Sequence, residues 1–315
     1  MASISQQIKL PFIDFNKGGD KLGPDCPEWT DLKVQVKRAL EEFGCFEAHF
    51  GEVPKDLQKK MIGSLQEVFE LSLEIKQRNI SRRPFHGYMG QMPQLPLYES
   101  MGIDDANVHE KVDEVVSTLW PQGHPTFSKT THSYSEKLLT LDQIIRRMIL
   151  ESLGLENHLE EHLSSAYYLL RLNKYKKPPT AEAKSGINAH TDKSMLTILY
   201  QDQVGGLEVE TKDGEWIGIK PSPESFIVMV GDSLYAWTNG RLRSPYHRVM
   251  ISGSEARYSV GLFSMPKAGY IIKAPDKMVD EEHPLLFEPF DYYELIKSLR
   301  QRGGAPSRIC RQDLL

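Results

Sequence analysis

The sequence has few cysteines, and none of them is placed for a disulfide framework or a cysteine metal site. Among 315 residues only Cys26, Cys45 and Cys310 are cysteine, and no two of them stand in a Cys-x-x-Cys spacing. An odd, scattered set of thiols is typical of proteins from a reducing compartment. This scarcity excludes a disulfide-rich scaffold as the basis of the fold.

The chain also lacks a long hydrophobic run and a strong charge of either sign. No apolar stretch approaches the roughly 20 residues that a membrane helix needs. The start of the chain shows neither a long apolar core nor a clear cleavage site for secretion. A formal net charge of −5 argues against nucleic acid and anionic membranes as partners. We therefore expect a cytoplasmic, monomeric protein whose partner is a small molecule.

Helical periodicity dominates the first half of the chain. A hydrophobic content of 40% allows a sizeable core. Apolar residues recurring every three or four positions predict helices over 27–43, 54–75 and 128–155, and a last helix over 290–302. Short apolar runs at 10–15 and 45–50 predict two strands before and after the first helix.

The stretch from 76 to 127 has no such periodicity. It contains five prolines and many aromatic residues. A segment this long without regular structure is either functional or disordered, and its aromatic content argues against disorder. We expect packed loops that either line a substrate pocket or serve as a structural cover.

Short strand-like segments take over from residue 165. Turn signals such as Gly205-Gly206 and Asn239-Gly240 separate them. The predicted strands are 167–172, 195–201, 207–210, 216–219, 226–230, 234–238, 247–251 and 258–263. Many short strands predict an all-β sandwich or barrel. We expect a single domain over 1–315, with a helix-rich part at 1–164, a β core at 165–275 and a C-terminal helical part at 276–315.

His190 and Asp192 are the most informative pair in this β region. On a strand, residues two apart project to the same face, so the imidazole and the carboxylate would reach one small metal ion together. His247, on a later predicted strand, is the best third ligand among the ten histidines. Two histidines and one carboxylate form the facial triad of non-haem iron(II) oxygenases. A hydrogen-bonded core histidine is the alternative that spacing alone leaves open.

Arg257 and Ser259 repeat this spacing on the last predicted strand. Arginine offers a planar fork that matches a carboxylate and does not lose its charge. With the hydroxyl as a further donor, the pair would suit one end of a small dicarboxylic acid whose other end chelates the metal. A surface arginine beside a core serine is the alternative reading of these two residues.

These residues together resemble the signature of a known family. H-T-D at 190–192, His247 and R-Y-S at 257–259 are similar to the H-x-D…H…R-x-S pattern of plant 2-oxoglutarate- and iron(II)-dependent dioxygenases. Other matching segments are L-P-F-I-D-F near the start, R-L-N-K-Y-K-K-P-P at 171–179 and V-G-G-L-E-V at 204–209. The resemblance therefore covers nearly the whole chain.

The resemblance implies a fold, a set of ligands and a set of cofactors. The fold would be mainly β with flanking helices, a distorted double-stranded β-helix or jelly roll. His190, Asp192 and His247 would bind iron(II) as the catalytic centre, and Arg257 and Ser259 would hold the distal carboxylate of 2-oxoglutarate. O₂ would be the oxidant and ascorbate the reductant.

Two further positions follow from the family's N-x-Y motif. Asn173 and Tyr175 fall where that motif places groups beside the co-substrate. Lysines surround the tyrosine here, at Lys174 and after it, and this departure from the family pattern weakens the assignment of Tyr175.

The implied reaction is oxidation of a small plant molecule. It would be a hydroxylation, a desaturation or a related C–H oxidation of a specialised metabolite or hormone, with release of succinate and CO₂. P-L-Y-E-S-M-G-I-D-D at 96–105 resembles the short dioxygenases that modify glucosinolate side chains. The candidate pocket residues are Phe85, Tyr88, Tyr98, Met101, Phe263 and Met265. An ascorbate-using non-haem iron oxidase and a non-catalytic jelly-roll binding protein are the alternatives.

Overall fold

Two main sheets backed by helices form the structure. The computed structural model describes residues 9–17, 22–180 and 182–301. The strands are β1 Phe12–Asp14, β2 Cys45–His49, β3 Tyr88–Met89, β4 Tyr98–Asp104, β5 Ala166–Tyr175, β6 Lys184–His190, β7 Leu196–Gln201, β8 Leu207–Glu210, β9 Trp216–Gly218, β10 Ser225–Val230, β11 His247–Ile251, β12 Arg257–Pro266, β13 Ile271–Ile272 and β14 Phe290–Asp291. The α-helices are α1 Glu28–Glu42, α2 Lys55–Glu70, α3 Leu73–Lys76, α4 His109–Leu119, α5 Pro125–Ser152, α6 Leu159–Ser164, α7 Asp232–Trp237 and α8 Tyr292–Gln301, with short 3₁₀ turns at Glu156–His158 and Asp276–Met278.

The sheets form a jelly roll, which confirms the predicted fold. The large sheet has eight strands in the order β1-β2-β10-β7-β12-β5-β4-β3, and the small sheet has four in the order β6-β11-β8-β9. Apolar side chains of both sheets meet between them, among them Leu199 of β7, Val209 of β8 and Ile227 of β10. This shared apolar layer holds the two sheets together because burial of such groups is the main driving force of folding.

The helices cover the outer face of the large sheet. The long helix α5 packs on β7 and β12, and α2 packs on β12 and β5. Helix α5 begins with Pro125, whose missing N–H costs nothing in the first turn. Gly154, just beyond its end, has φ +66°, the left-handed conformation that suits a helix C-terminus. The predicted helix over 128–155 is therefore shifted by three residues.

The prediction of loops over 76–127 was wrong. The stretch contains β4, most of whose residues are buried, and the helix α4. β4 pairs with β5 inside the large sheet, and a strand that is buried on both faces has no polar alternation to reveal it. Helix α4 carries its apolar residues at Val112, Val116 and Leu119, a spacing that the sequence analysis overlooked.

The predicted strand over 234–238 was also wrong, since residues 234–237 belong to α7 and Thr238 is its C-cap. Tyr235 N–H donates to Gly231 O at 3.0 Å and Thr238 N–H donates to Leu234 O at 2.9 Å, the four-residue bonds of a helix. A short apolar run does not distinguish a strand from a buried helical turn.

Segments from before residue 165 are built into the large sheet. β2 pairs with β10, and β4 pairs with β5.

The predicted division of the chain into three parts stays a prediction. The monomeric state and the cytoplasmic location of the protein also stay predictions. Within the described ranges no helix is long and apolar enough to span a bilayer. Cys26 and Cys45 are free thiols, and Cys310 lies outside the described residues.

Candidate metal and co-substrate site

The two histidines of the predicted triad face each other across the small sheet. His190 is the last residue of β6, His247 is the first residue of β11, and the two are paired in register. Asp192 lies two residues beyond the end of β6, so the expected common strand stops before it. One ligand atom from each of the three residues lies within 4.8 Å of the other two. The structure thus brings the triad together, with the aspartate delivered by the turn after the strand.

Backbone carbonyl groups orient both imidazole rings. His190 Nδ1 lies 2.8 Å from Asn188 O, and His247 Nδ1 lies 3.3 Å from Pro245 O. Each Nδ1 therefore carries the proton and donates it to the carbonyl. Each Nε2 is left with a free lone pair, and both Nε2 atoms lie 3.7 Å from Asp192 Oδ1. The three donors converge on one point.

Electrostatics favours the protonation states that bind a metal. Burial, and after it the neighbouring His247, lowers the pKa of His190 to about 4, so the ring is neutral at neutral pH. Burial acts to raise the pKa of Asp192. The two histidines and a hydrogen bond from Thr197 Oγ1, at 2.6 Å from Asp192 Oδ2, outweigh this and lower it. Neutral imidazoles and an ionised carboxylate are the ligand forms that a divalent metal requires.

A buried carboxylate fastens the loops that carry these ligands. Asp232, fully buried at the start of α7, accepts hydrogen bonds from Thr191 Oγ1 at 2.8 Å and from Ser244 Oγ at 2.6 Å. Its backbone N–H donates to Asp192 O at 2.7 Å. Thr191 stands between two ligands and Ser244 stands three residues before His247. Asp232 therefore connects both sides of the triad.

Arg257 and Ser259 lie deep inside the jelly roll. Both are almost fully buried, and the guanidinium donates to Ser259 Oγ at 3.2 Å and to Gln201 Oε1 at 2.8 Å. The ring of Tyr175 lies 4.9 Å below the guanidinium. Burial lowers the pKa of Arg257, yet an arginine in a protein keeps its charge. The result is a buried cation whose described hydrogen-bond partners are neutral.

One donor of this guanidinium has no partner. Arg257 Nε is buried and makes no hydrogen bond in the described structure. An unpaired buried donor is costly, and it marks a place where a ligand oxygen fits.

The two N-x-Y residues stand directly across from this pair. Register places Tyr175 opposite Arg257 and Asn173 opposite Ser259. Asn173 Oδ1 accepts from Tyr98 Oη at 2.9 Å, and burial raises the pKa of Tyr175, with Tyr98 adding to the rise. Both phenols and the amide therefore belong to one polar layer around Arg257.

Strand β7 relates the arginine to the triad. Gln201, which holds Arg257, and Thr197, which holds Asp192, stand four residues apart on the same face of β7. Four residues of strand span roughly 13 Å. Side chains reach inward from both positions, and the gap between them suits a small dicarboxylate with one end at the arginine and the other at the metal.

The donor set therefore fits both groups that the motif implies. Two imidazole Nε2 atoms and one carboxylate oxygen on one side of a metal match the iron(II) triad and leave other coordination positions open. The orphan Nε of Arg257 and the hydroxyl of Ser259 match a carboxylate. His190, Asp192 and His247 would hold the metal, and Arg257 with Ser259 would hold the acid.

Five of the six predicted pocket residues separate onto the two faces of the large sheet, and Phe85 lies in a turn before β3. Tyr98, Phe263 and Met265 lie on the same face of the sheet as Ser259. Phe263 and Met265 follow Ser259 at even spacing along β12, and Tyr98 is paired with Tyr175, which stands opposite Arg257. Phe85 is 44% exposed and contributes its carbonyl beside Arg171. Tyr88 and Met101 pair with each other on the opposite, helix-covered face. Their assignment to the pocket is therefore corrected.

Several residues around the site were missed by the sequence analysis. They are Arg171, Thr197, Gln201, Asp232 and Tyr292. Gln201 and Thr197 are polar residues on a strand that is otherwise apolar, and this was the available signal. Tyr292 of α8 is buried, and burial raises its pKa; Tyr293 adds to this rise, Arg171 opposes it and Asp192 adds slightly to it. Its proximity to the site has no local signature in the sequence.

Comparisons with known proteins point in one direction. The family model of the 2OG-Fe(II) oxygenase superfamily matches residues 166–266, and the model described as non-haem dioxygenase in morphine synthesis N-terminal matches residues 10–114. The probable 2-oxoglutarate-dependent dioxygenase AOP1.2 of Arabidopsis thaliana is 49% identical over 306 residues, which cover 95% of this chain and 94% of that relative.

Solved structures agree with the sequence relatives. Dioxygenase for auxin oxidation 1 of Arabidopsis thaliana, in a binary complex with 2-oxoglutarate, superposes with a TM-score of 0.79 at 28% identity, covering 88% of this chain and 100% of the other. JOX2 in complex with 2OG, Fe and JA gives a TM-score of 0.78 at 25% identity, covering 97% of this chain and 88% of the other.

Proposed function

Because the chain belongs to the 2OG-Fe(II) oxygenase superfamily, we propose that His190, Asp192 and His247 bind its iron and that Arg257 and Ser259 bind its 2-oxoglutarate. The chain is a 2-oxoglutarate-dependent dioxygenase, an oxidoreductase that uses iron, 2-oxoglutarate and O₂. The observation that carries the residue assignment is the convergence of two Nε2 atoms and one carboxylate oxygen within 4.8 Å.

Each residue of the site has a separate task in this proposal. The carbonyl groups of Asn188 and Pro245 fix the tautomers of the two histidines, and Thr197 holds the carboxylate of Asp192. Such partners of the ligands commonly decide metal affinity. Gln201 fixes the plane of the Arg257 guanidinium.

Iron(II) and 2-oxoglutarate, when bound, supply the O₂-dependent oxidation of a substrate C–H bond, with release of succinate and CO₂. The protein contributes binding, orientation and exclusion of water. Arg257 and Ser259 bind the distal carboxylate, and Asn173, Tyr175 and Tyr98 form a polar layer beside it. Thr197 keeps Asp192 from turning away from the metal.

The substrate in this proposal is a small plant metabolite, either a specialised metabolite or a hormone. The name of one structural neighbour refers to auxin oxidation, and relatives named AOP cover nearly the whole chain. Phe263 and Met265 lie on the face of Ser259, so we assign them to the substrate side of the site. Ascorbate as the reductant is an assignment from the family resemblance.

Succinate release tests the proposal. The protein is supplied with iron(II), 2-oxoglutarate, ascorbate and O₂, and succinate is measured with and without a panel of plant metabolites. We expect slow release by the native chain alone, faster release with a substrate, and none from Asp192→Ala. Thermal unfolding of Asp192→Ala verifies that this variant is folded.

Equal succinate release by the native chain and Asp192→Ala would refute the iron assignment. Turnover of a substrate without 2-oxoglutarate would favour the ascorbate-using oxidase instead. Metal binding whose visible spectrum does not respond to 2-oxoglutarate would favour a binding protein.

A further inference from the structure

Arg171 is a second cation on the site-facing side of the large sheet. It belongs to β5, where register places it opposite Gly261 of β12, two residues along from the Asn173–Ser259 pair and on the same face. Gly261 in turn lies opposite Leu199 of β7, midway between Gln201 and Thr197. Arg171, Gly261 and Leu199 therefore form one row across three strands. This row lies between Gln201, which holds Arg257, and Thr197, which holds Asp192. Two strand spacings, roughly 10 Å, separate Arg171 from β7.

No side chain stands beside Arg171 on either neighbouring strand. Its cross-strand neighbours are Gly102 on β4 and Gly261 on β12. A Cβ added to Gly102 would lie 3.1 Å from the backbone of Gly87, so that glycine allows a close approach of the chain. At Gly261 the ring of Phe263 occupies the adjacent space. The position of Arg171 is therefore flanked by the Gly87 backbone above Gly102 and by the Phe263 ring above Gly261.

Neutral groups hold the guanidinium in place. It donates to Ser100 Oγ at 3.2 Å and to the carbonyl of Phe85, and it lies 3.4 Å from Met89 Sδ. Within the part of the chain that the structure describes, no carboxylate comes within ion-pair distance of it. A guanidinium has five N–H donors, and these contacts leave some of them available.

The environment of Arg171 is partly shielded from water. The residue is half-buried, and its charge opposes the rise that burial imposes on the pKa of Tyr292, a buried residue of α8. A half-buried cation without a counterion is unfavourable, and an anion supplied by a ligand removes that cost.

We propose that Arg171 binds an anionic group of the substrate, a carboxylate on a small organic acid whose apolar part packs on Phe263. The inference rests on the proposed function, since it assumes that 2-oxoglutarate occupies the Arg257 end of the site. It adds to the proposed function the chemical class of the substrate, which is a small organic acid. The bound acid would lie beside 2-oxoglutarate and have one C–H bond directed at the metal, an orientation that a two-point contact provides.

A purely structural role for Arg171 is the competing explanation. Its bonds to Ser100 and Phe85 also fasten the 85–89 segment to the sheet. That role requires no ligand and makes no distinction between an acid and its amide.

Matched ligand pairs separate the two explanations. The full-length protein is loaded with iron(II) and saturating 2-oxoglutarate without O₂, and binding is followed by the change in the visible absorption of this complex. The probes are phenylacetate and phenylacetamide, indole-3-acetate and indole-3-acetamide, and octanoate and octanamide. We expect at least one acid to bind and its amide to bind far more weakly.

Arg171→Met should weaken the binding of that acid by about ten- to a hundredfold, since a charge-assisted hydrogen bond is lost. Arg171→Lys should restore part of the affinity, because it keeps the charge without the fork. Ser100→Ala keeps the cation and removes one of its supports, and it should cause a smaller loss. This variant gives a result even if Arg171→Met fails to fold.

Arg248→Met is the matched control. Arg248 is also on a jelly-roll strand, but it is paired with Glu208 at 2.7 Å and stacks on Trp216 at 4.0 Å. It should leave acid binding unchanged.

Acids that bind no better than their amides, no binding by any acid, or equal affinity in Arg171→Met would each overturn the proposal. Failure of 2-oxoglutarate to change the spectrum would instead refute the proposed function.

Discussion

The large sheet has two faces, and they differ in how they handle buried charge. On the helix-covered face, Lys76 lies 2.6 Å from Glu99, and Arg146 lies 3.6 Å from Asp142. On the face turned to the small sheet, Arg257 and Arg171 have only neutral hydrogen-bond partners among the described residues. The same scaffold thus pairs Lys76 and Arg146 with carboxylates on one side and leaves Arg257 and Arg171 without one on the other.

This difference separates charges that belong to the fold from charges that belong to binding. Removing one partner of a buried ion pair leaves an uncompensated charge, so the loss of either partner strongly destabilises the fold. A buried cation without a carboxylate makes the free protein less stable and prepares a site for an anion. We expect mutations on the helix-covered face to change unfolding, and mutations on the other face to change ligand affinity.

The largest effect on stability should come from Glu99→Ala. The variant leaves the Lys76 ammonium, whose side chain is 7% exposed, without its carboxylate. We expect the free energy of unfolding to fall by about 3–5 kcal/mol, measured by urea denaturation. Glu114→Ala is the control, because the exposed pair of Glu114 with Lys111 is worth about 0–1 kcal/mol. Equal losses in the two variants would contradict the distinction between the faces.

Arg257→Met should act mainly on 2-oxoglutarate. Loss of a buried, hydrogen-bonded charge contact costs about 2–5 kcal/mol, or roughly thirty- to a few thousandfold in Kd. Titration of the iron complex with 2-oxoglutarate measures this. Without the ligand, the variant should lose less stability than Glu99→Ala. Arg257→Lys should be intermediate, and unchanged 2-oxoglutarate affinity in Arg257→Met would remove this residue from the site.

Thr197→Val should have a smaller effect, confined to metal binding. The substitution keeps the shape and removes the hydroxyl that donates to Asp192 at 2.6 Å. We expect iron affinity to fall by about ten- to a hundredfold, measured by competition with a chelator. Thr140→Val is the control, since its hydroxyl donates to the carbonyl of Glu136 within α5, away from the metal ligands. A chelator result identical for both variants would argue against an orienting role.

The smallest expected effect concerns His162 on the helix-covered side. Burial, and after it the Arg146 guanidinium, keeps the pKa of His162 well below its usual 6.5. As pH falls below 6.5, the imidazole binds a proton in the unfolded state but stays neutral in the folded state. The free energy of unfolding therefore decreases. For one group this slope is at most about 1.4 kcal/mol per pH unit. Urea unfolding between pH 7 and pH 5 should show a shallower slope in His162→Asn, and identical slopes would rule out this contribution.

The sequence predicted those features whose signal is local. The stripe of α5 and the His190–Asp192 spacing each lie within a few turns or residues of chain. The family resemblance also predicted the roles of Arg257 and Ser259. The structure brings the three metal-binding candidates together and places Arg257 beside Ser259.

Features that depend on cross-strand register were not predictable in this way. Tyr98 and Met101 are three residues apart on β4, so their side chains point to opposite faces of the sheet. The pairing of β4 with β5 decides which of the two faces the site. β4 is buried on both faces, so it gave no alternation to follow. Arg171 appeared only as a charged residue within an apolar strand, and its two glycine neighbours come from segments about 70 to 90 residues away in the chain.

Gly261 gives this architecture a simple route to divergence. An added methyl group there would meet only side chains, at 3.0 Å from the Phe263 ring and 3.3 Å from Leu199. Side chains give way more easily than backbone, and neither of these neighbours is a residue that we assign to iron or 2-oxoglutarate. A single small substitution at Gly261 would therefore narrow the space beside Phe263, on the proposed substrate side, and leave the residues assigned to iron and 2-oxoglutarate in place.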